Sequence, residues 1–551
     1  MSLRIDMVWL GDRGPSPAWP LGEVWPTAAT PAAVQAQVQE HLPSSNADAW
    51  LFWHAELGAP NPRIIRDVMQ RPGDVWHAGL RLGLSGQPGL MDFVSSTWML
   101  SRDPDEKIEA TSWRLSLRAC LVKRDVLQRM GSVHSQFLTL EGAALEMGHR
   151  YVTLGVLTRH IPWLIETGHL DSSAVIPFED ELRFVYYRFG RFWSRWALAR
   201  TLIQRPATAG QVTKFWRRIS KDPLPQSPPP YARGRFTQEN TIASARVSVL
   251  IPTIDRYPYL RTLLTQLRPQ TVKPLDIVVI DQTPREHRDM KLANEFHDLP
   301  IQFIYRDQPG QCTSRNAGLQ MLQGDYILLL DDDVEIVPDL IEAHLQNLAH
   351  FSAEASVGVA EEVGAGPLPK NFTYTRVSDV FPAGNTLVSR NTLKKSGLFD
   401  LAYERGARAD GDLGMRVYLS GALIVLNPAI SVLHHHAPRG GLRAHKARVI
   451  TYASSRKKLT QRHLPSTTEI YLAMRYFTRH QVTEMLWQQA FGTFSTRGGK
   501  LKKLAKGVIS LVYLFDTLRQ IRKNRSVAKQ MLREFPKIPT LQSLEPSGHK
   551  R

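Results

Sequence analysis

Residues 325–340 read DYILLLDDDVEIVPDL. Tyr326 to Leu330 is an unbroken apolar and aromatic run, the pattern of a buried strand, and Asp331, Asp332 and Asp333 follow it at once. Adjacent carboxylates repel, and burying one is costly unless something positive pairs with it. The stretch therefore predicts a strand that delivers clustered charge to a place where a cation arrives.

Working outward, the neighbouring segments alternate between strand and helix. ARVSVLIPT predicts a strand over Val247–Ile251, ended by Pro252. Leu260, Leu263, Leu264 and Leu267 then recur at helical spacing. PLDIVVIDQT reads as a second buried strand ending in Asp281, LPIQFIYRDQPG as a third, and CTSRNAGLQMLQGD as a helix that Thr313 or Ser314 can cap. Strands alternating with helices imply a parallel sheet, and near-continuous apolar strands imply cover on both faces. In doubly wound α/β sheets, ligands bind beyond the carboxyl ends of the strands. Thr253, Asp281 and residues 331–333 all follow strand runs, so one rim is expected to gather them. A carboxylate able to hydrogen-bond, Asp281, beside a carboxylate cluster suits a nucleotide whose phosphates arrive with a hard divalent cation, Mg²⁺ or Mn²⁺. The competing reading of the triplet alone is a solvated acidic loop.

VSVLIPTIDRYPYLRTLLTQL, DIVVIDQT, QPGQCTSRNAGLQMLQGDYILLLDDDVEI, FPAGNTLVSRNTLKKSGLFD and ADGDLGMRVYLSGALIVLNPAISVLHHH follow one another in an order and spacing that resembles the family 2 glycosyltransferases. The resemblance covers about residues 246–445. It implies a GT-A nucleotide-sugar fold and transfer of a sugar from a nucleoside diphosphate donor with inversion at the anomeric carbon. Carried over by position, Pro252, Thr253, Asp281 and Asp332 would contact the donor nucleotide. Asp331 and Asp333 would be the ends of the family's D-x-D and, with His434, would hold the metal. Asp410 falls on the catalytic-base position. Ala409 stands where the family usually has an acidic residue, and DQT stands where many members have DDGS, so the base's surroundings and the preferred nucleotide are less determined.

The chemistry is consistent with those residue types. Displacing a nucleoside diphosphate needs its charge neutralised, and the attacking hydroxyl needs a positioned carboxylate to take its proton. Asp410 and Asp412 flank Gly411 at the start of the helical run DLGMRVYLSG, where either can instead cap the helix; Asp412 is read as an orienting or capping residue. In SVLHHHAPRGGLR, strand alternation would put His434 and His436 on one face and His435 on the other, with His434 or His435 facing the site. Arg439 and Arg443, separated by Gly440 and Gly441, could close over the diphosphate or form a solvated loop. Arg315 could pair with the acidic cluster or with helix-end carbonyls.

An ungapped shift of 266 aligns Leu121, Val122, Arg124, Leu127, Gly131, Ala143, Gly148, Arg150, Gly155 and Leu157 with identical residues between 387 and 423. Composition alone would give about two or three such identities, so the N-terminal part reads as an internal repeat. Its chemistry differs. Ala144 stands at the place of Asp410, and a shift of 277 puts His54 and Glu56 at the places of Asp331 and Asp333. Residues 1–170 are therefore expected to be a truncated, degenerate GT-A-like domain that positions or interacts rather than catalyses. A divergent second active site, with His54 and Glu56 on a metal, is the alternative.

An aromatic and arginine-rich helical segment is expected over 171–222, a proline-rich linker over 223–245, the catalytic domain over 246–445 and a basic helical region over 446–551. The whole is predicted to be an α/β protein: a mostly parallel, doubly wound GT-A-type sheet, preceded by the truncated copy and followed by a helical tail. Within KLKKLAKGVISLVYLFDTLRQIRKNR, Val508 to Phe515 is apolar apart from Ser510 and is flanked by basic residues. That run is too short to span a bilayer. It suits a helix lying on an anionic membrane surface through residues 500–525, or one packed on the catalytic domain.

The chain of 551 residues carries a net charge of +18, which suits anionic partners. No zinc-finger spacing, RNA-recognition motif or compact basic recognition helix accompanies the charge, so nucleic acid is not the expected partner. Two cysteines, Cys120 and Cys312, make no disulfide framework. With no signal-peptide pattern at the start, a cytoplasmic protein, or one peripheral on the inner membrane face, is expected. The expected partners are a nucleoside-diphosphate sugar and a saccharide or lipid-linked acceptor in cell-surface polysaccharide or glycolipid synthesis. The alternatives are an inert scaffold and a nucleotidyltransferase; the latter needs a glycine- and lysine-rich triphosphate loop that IPTIDRYPYL lacks.

Overall fold

A computed structural model describes residues 3–11, 17–78, 89–165, 176–204, 208–233, 244–364, 366–437, 464–491 and 499–541. The chain divides into two compact units, residues 1–234 with 374–377, and residues 235–373 with 378–551.

The first unit holds β1 (Ile5–Leu10), β2 (Val24–Thr27), β3 (Ala49–His54), β4 (Val75–Ala78), β5 (Ala110–Thr111), β6 (Ala119–Lys123) and β7 (Thr158–His160). They run in the order β2-β1-β3-β6-β4-β7-β5. The second unit is built on β8 (Val247–Thr253), β9 (Asp276–Asp281), β10 (Ile301–Tyr305), β11 (Tyr326–Leu330), β12 (Val334–Glu335) and β13 (Ala355–Glu362). After β14 (Arg376–Val377), which groups with the first unit, come β15 (Asn385–Ser389) and β16 (Ile424–His434). The order here is β10-β9-β8-β11-β15-β13-β16-β12. β8 to β11 are mutually parallel, as the strand–helix alternation predicts, while β15 runs antiparallel to both β11 and β13.

The core forms where the apolar stripes predict. Leu260, Leu263, Leu264 and Leu267 of the helix Tyr257–Leu267 are fully buried and pack with Val247, Val249 and Ile251 of β8. Strand β8 does not stop at Pro252. It continues to Thr253, with Pro252 opposite Ile280 of β9, because pairing with β11 has already ended at Leu250 and the missing N–H leaves no ladder bond unmade on that side.

The repeat extends to pairing register. Ala49 of β3 lies opposite Lys123 of β6, and Tyr326 of β11 opposite Ser389 of β15, the same pair under the shifts of 277 and 266. Val75 pairs with Thr158 as Ala355 pairs with Ile424, and Ile5 pairs with Ala49 as Val247 pairs with Tyr326. Gly131 and Gly397 end equivalent helices at positive φ, 73° and 78°, where a side chain would be strained. The first unit is thus less truncated than its length suggests. It retains two parallel strands, β1 and β2, ahead of β3. Its described residues contain no counterpart of β10 or of the helix Tyr257–Leu267.

The described residues within 176–233, which span the segment read as an aromatic helix and the first part of the one read as a linker, group with the first unit. The helix Phe178–Gln204 is broken at Gly190 (φ 79°), and Phe184 and Phe189 pack on His149 with ring centroids 5.4 Å apart. In the proline-rich stretch, Tyr231 is buried, donating from its backbone N to Leu154 O (2.7 Å) and from its hydroxyl to Asp125 Oδ2 (2.8 Å). Those residues are seated, not a free spacer. Helices Thr467–Tyr476, Arg479–Ala490, Lys500–Val512 and Leu514–Glu534 follow in the second unit, and among the described residues no helix is long and apolar enough to cross a membrane.

Candidate active site

The parallel register brings Thr253 opposite Asp281, and the end of β11 lies beside both. Asp281 is buried and accepts from the Tyr257 hydroxyl (2.6 Å) and the Thr283 backbone N (2.9 Å). Thr253 Oγ1 donates to Asp332 Oδ2 at 2.7 Å. One chain of contacts therefore links the ends of three strands.

The carboxylate triplet is compensated from within the chain. Arg256 Nη1 stands 2.8 Å from Asp332 Oδ1 and 3.1 Å from Asp333 Oδ2. Arg315 Nη2 donates to Asp331 Oδ1 at 3.3 Å, while its Nη1 reaches Gln311 O, so both roles open to it are filled. His434 Nε2 lies 3.3 Å from Asp333 Oδ1, and the Ala437 backbone N donates to Asp333 Oδ2 at 2.9 Å. Burial pushes the Asp332 carboxyl up despite Arg256. Burial also opposes charge on Asp333, but the hydrogen bond and charge of His434, with Arg256, hold it down at about 2. Asp331 is the open member, its side chain 26% exposed against 3% and 2% for the other two. The Asp333 carboxylate, held ionised, with the more open Asp331 carboxyl beside it at the rim, is a donor set that fits a hard divalent cation.

Asp410 lies in the first turn of the helix Ala409–Leu419, half-buried, its Oδ1 accepting from the Gly411 backbone N at 2.8 Å. Desolvation raises its pKa, helped by Asp331 and opposed by Gly411 N, Arg408 and Arg315. Arg315 and Asp331 are thus in electrostatic reach of Asp410, which joins it to the strand rim. Asp412, two residues on, does different work. It is fully buried, bridged by Arg416 (2.8 Å) and hydrogen-bonded by the Tyr476 hydroxyl (2.8 Å).

The histidines divide as alternation predicts. His434 and His436 have ring centroids 4.2 Å apart, while His435 turns to Glu335 Oε1 (2.5 Å) and the Tyr259 ring. His434 is the one facing the carboxylates. Arg439, Gly440, Gly441 and Arg443 lie outside the described residues.

Several site residues escape sequence reasoning. Arg256 is one; nothing local marks it as the counter-ion of residues 76 positions away. Gly384 is another: a Cβ there would sit 2.6 Å from Asp331 Oδ2, and the equivalent position in the first unit is Arg118. Glu404 is the third. The helix Gln311–Met321 starts after Gly310 with no side-chain cap of its own, so Thr313 and Ser314 do not cap it. Glu404 Oε2 accepts from the backbone N of Cys312 (2.9 Å) and Thr313 (3.0 Å), while Oε1 accepts from Thr313 Oγ1. Glu404→Ala should lower stability by about 1–2 kcal/mol, a cap's worth, read as a fall of a few degrees in the thermal midpoint. Among the described residues, three of the four non-glycine residues with positive φ, Asp255, Arg408 and His436, adjoin this site. Such backbone persists only where the surroundings over-determine it.

At the equivalent rim of the first unit, His54 Nδ1 lies 3.7 Å from Glu56 Oε2, and Arg118 Nη2 3.5 Å from the same oxygen. Ala144, at the place of Asp410, is fully buried. The structural clamp, in contrast, is duplicated. Arg150 binds Glu146 and the carbonyls of Met130 and Ser132, as Arg416 binds Asp412 and those of Ser396 and Leu398.

Residues 248–406 match the family model "Glycosyl transferase family 2". The glycosyltransferase GlyA of Streptococcus pneumoniae is 27% identical over 115 residues, 20% of this chain and 16% of that one. YwdF of Bacillus subtilis, an uncharacterized glycosyltransferase, is 27% identical over 168 residues, covering 28% of this chain and 62% of that one. The hyaluronan synthase of Pasteurella multocida is 21% identical over 239 residues, 35% of this chain and 25% of that one. The matched stretches thus span less than two thirds of each of these relatives.

Proposed function

We propose, from the premise that residues 248–406 form a family 2 glycosyl transferase domain, that the protein transfers a sugar from a nucleoside diphosphate to a hydroxyl acceptor with inversion. The observation that carries this reading is the convergence of Asp281, Asp331–Asp333 and Asp410 around one sheet rim. Pro252, Thr253 and Asp281 receive the nucleoside, with Asp332 locking Thr253 and Arg256 in place. Asp331 and Asp333, with His434 beside them, hold Mg²⁺ or Mn²⁺. That ion supplies charge neutralisation for the departing diphosphate. Asp410 accepts the acceptor's hydroxyl proton as the oxygen attacks the anomeric carbon and the diphosphate leaves from the opposite face. Its raised pKa makes the carboxylate a stronger base than a free aspartate. Arg315, bonded to Asp331 and lowering the pKa of Asp410, supplies positive charge that eases the repulsion between the two carboxyls.

A saccharide or lipid-linked acceptor in cell-surface polysaccharide or glycolipid synthesis is the substrate class we infer, in line with the name of the hyaluronan synthase. Peripheral attachment to an anionic membrane suits the helix Lys500–Val512. Leu501, Leu504, Val508 and Leu511 fall on one face of it and are 84%, 67%, 55% and 58% exposed.

The test is donor binding by thermal shift across nucleotide sugars, with and without Mn²⁺. A donor at 100 times its Kd should stabilise the folded state by about 2.7 kcal/mol, and Asp333→Ala should remove the Mn²⁺-dependent part. Equal stabilisation of the variant by donor and Mn²⁺ would count against the assignment.

A further inference from the structure

Glu362 at the end of β13, His434 at the end of β16 and His436 just beyond it bring one donor atom each to within 4.8 Å of one another. His436 Nε2 lies 2.6 Å from Glu362 Oε2, and His434 Nδ1 lies 4.0 Å from Glu362 Oε1. Ligand atoms at bonds of about 2.0–2.2 Å around one tetrahedral ion stand about 3.3 Å apart. The observed spacings bracket that figure, so small side-chain rotations close the site.

Two features set this trio apart from a chance surface cluster. His436 adopts a left-handed backbone (φ 50°), rare for a residue with a side chain, and its ring comes to 4.2 Å from that of His434. His434 also has a carboxylate behind it. With Asp333 Oδ1 3.3 Å from Nε2, Nε2 keeps its proton, and Nδ1, the nitrogen that gives up its proton when a metal binds, is the one near Glu362. A carboxylate fixing the tautomer of a ligating histidine is the usual support of a metal-bound imidazole. All three side chains are partly covered yet reachable, 16–26% exposed.

We propose that Glu362, His434 and His436 form a second cation site, separate from Asp331 and Asp333, that takes a divalent transition metal, zinc foremost. Two imidazoles and one carboxylate favour such an ion over Mg²⁺, which demands oxygen ligands. Water fills the remaining position. His434 serves one ion at a time: donating Nε2–H to Asp333, it offers Nδ1 to this site. The bound ion ties the end of β13 to the end of β16, next to the rim where the diphosphate is inferred to sit. The site stands on its own ligands and does not depend on sugar transfer.

The experiment is equilibrium dialysis of the metal-stripped full chain against Zn²⁺, without nucleotide, alongside Co²⁺ absorption spectra. The wild-type chain should bind one zinc more than His436→Ala or Glu362→Gln, and its Co²⁺ form should show the intense visible bands of low-coordinate nitrogen ligation. Asp331→Asn should keep that extra zinc. Unchanged circular dichroism identifies all three variants as folded. Equal zinc stoichiometry in wild type and both folded variants would overturn the proposal, as would loss of the extra zinc in Asp331→Asn.

Discussion

Asp410→Asn is expected to lower turnover by at least about 10²-fold while donor affinity barely changes. The amide keeps the size of the side chain and its acceptance from Gly411 N (2.8 Å) but cannot take a proton. The pH profile supplies an independent check. Desolvation raises the Asp410 pKa above the usual aspartate value. The active, ionised base is therefore present above that raised pKa, and activity falls as pH drops through it. The acid limb of kcat/KM in the wild-type protein should sit above the usual aspartate range, and the residual activity of the variant should lack that limb. Near-normal turnover in Asp410→Asn would remove Asp410 from the role of base.

Asp412→Ala, two residues on and nearly opposite around the same helix, should fail in another manner. Asp412 is fully buried, and Arg416, whose side chain is only 9% exposed, depends on it for charge. Removing one partner of a buried pair leaves the other uncompensated, which costs about 3–5 kcal/mol. A domain of this size should lose on the order of 10 °C in its unfolding midpoint. Glu146→Ala, which strands Arg150 in the first unit, should destabilise that unit to a similar extent. Differential scanning calorimetry would read both. An unchanged midpoint in Asp412→Ala would show that the clamp is dispensable, and a stable but inactive Asp412→Ala would move Asp412 into the chemistry.

The contrast between these aspartates was partly visible in the chain itself. The internal repeat has an acid, Glu146, at the place of Asp412 and Ala144 at the place of Asp410. The buried clamp acid is present in both copies, whereas Asp410, proposed to act in proton transfer, has no acidic counterpart in the first. The strand that ends in Asp331–Asp333 and the helical stripe of Leu260 to Leu267 were readable because each rests on contiguous periodicity. Thr313 and Ser314 as caps were misread for the converse reason: the cap is Glu404, 91 residues away from Thr313. The proline-rich stretch looked like a spacer because composition reports stiffness and cannot report that Tyr231 has a socket.

Local pattern determined the alternation of strands and helices, the placement of polar residues at strand ends, and the loss of Asp331, Asp333 and Asp410 equivalents from the first unit. Tertiary structure alone decided which cations meet the carboxylates, which histidine faces Asp333, and that His436 folds back on Glu362. Periodicity is written in neighbouring residues, which share one backbone geometry. Pairing of Arg256 with Asp332, or of Glu362 with His436, depends on how strands far apart in the chain come to lie side by side, and no local signal carries that.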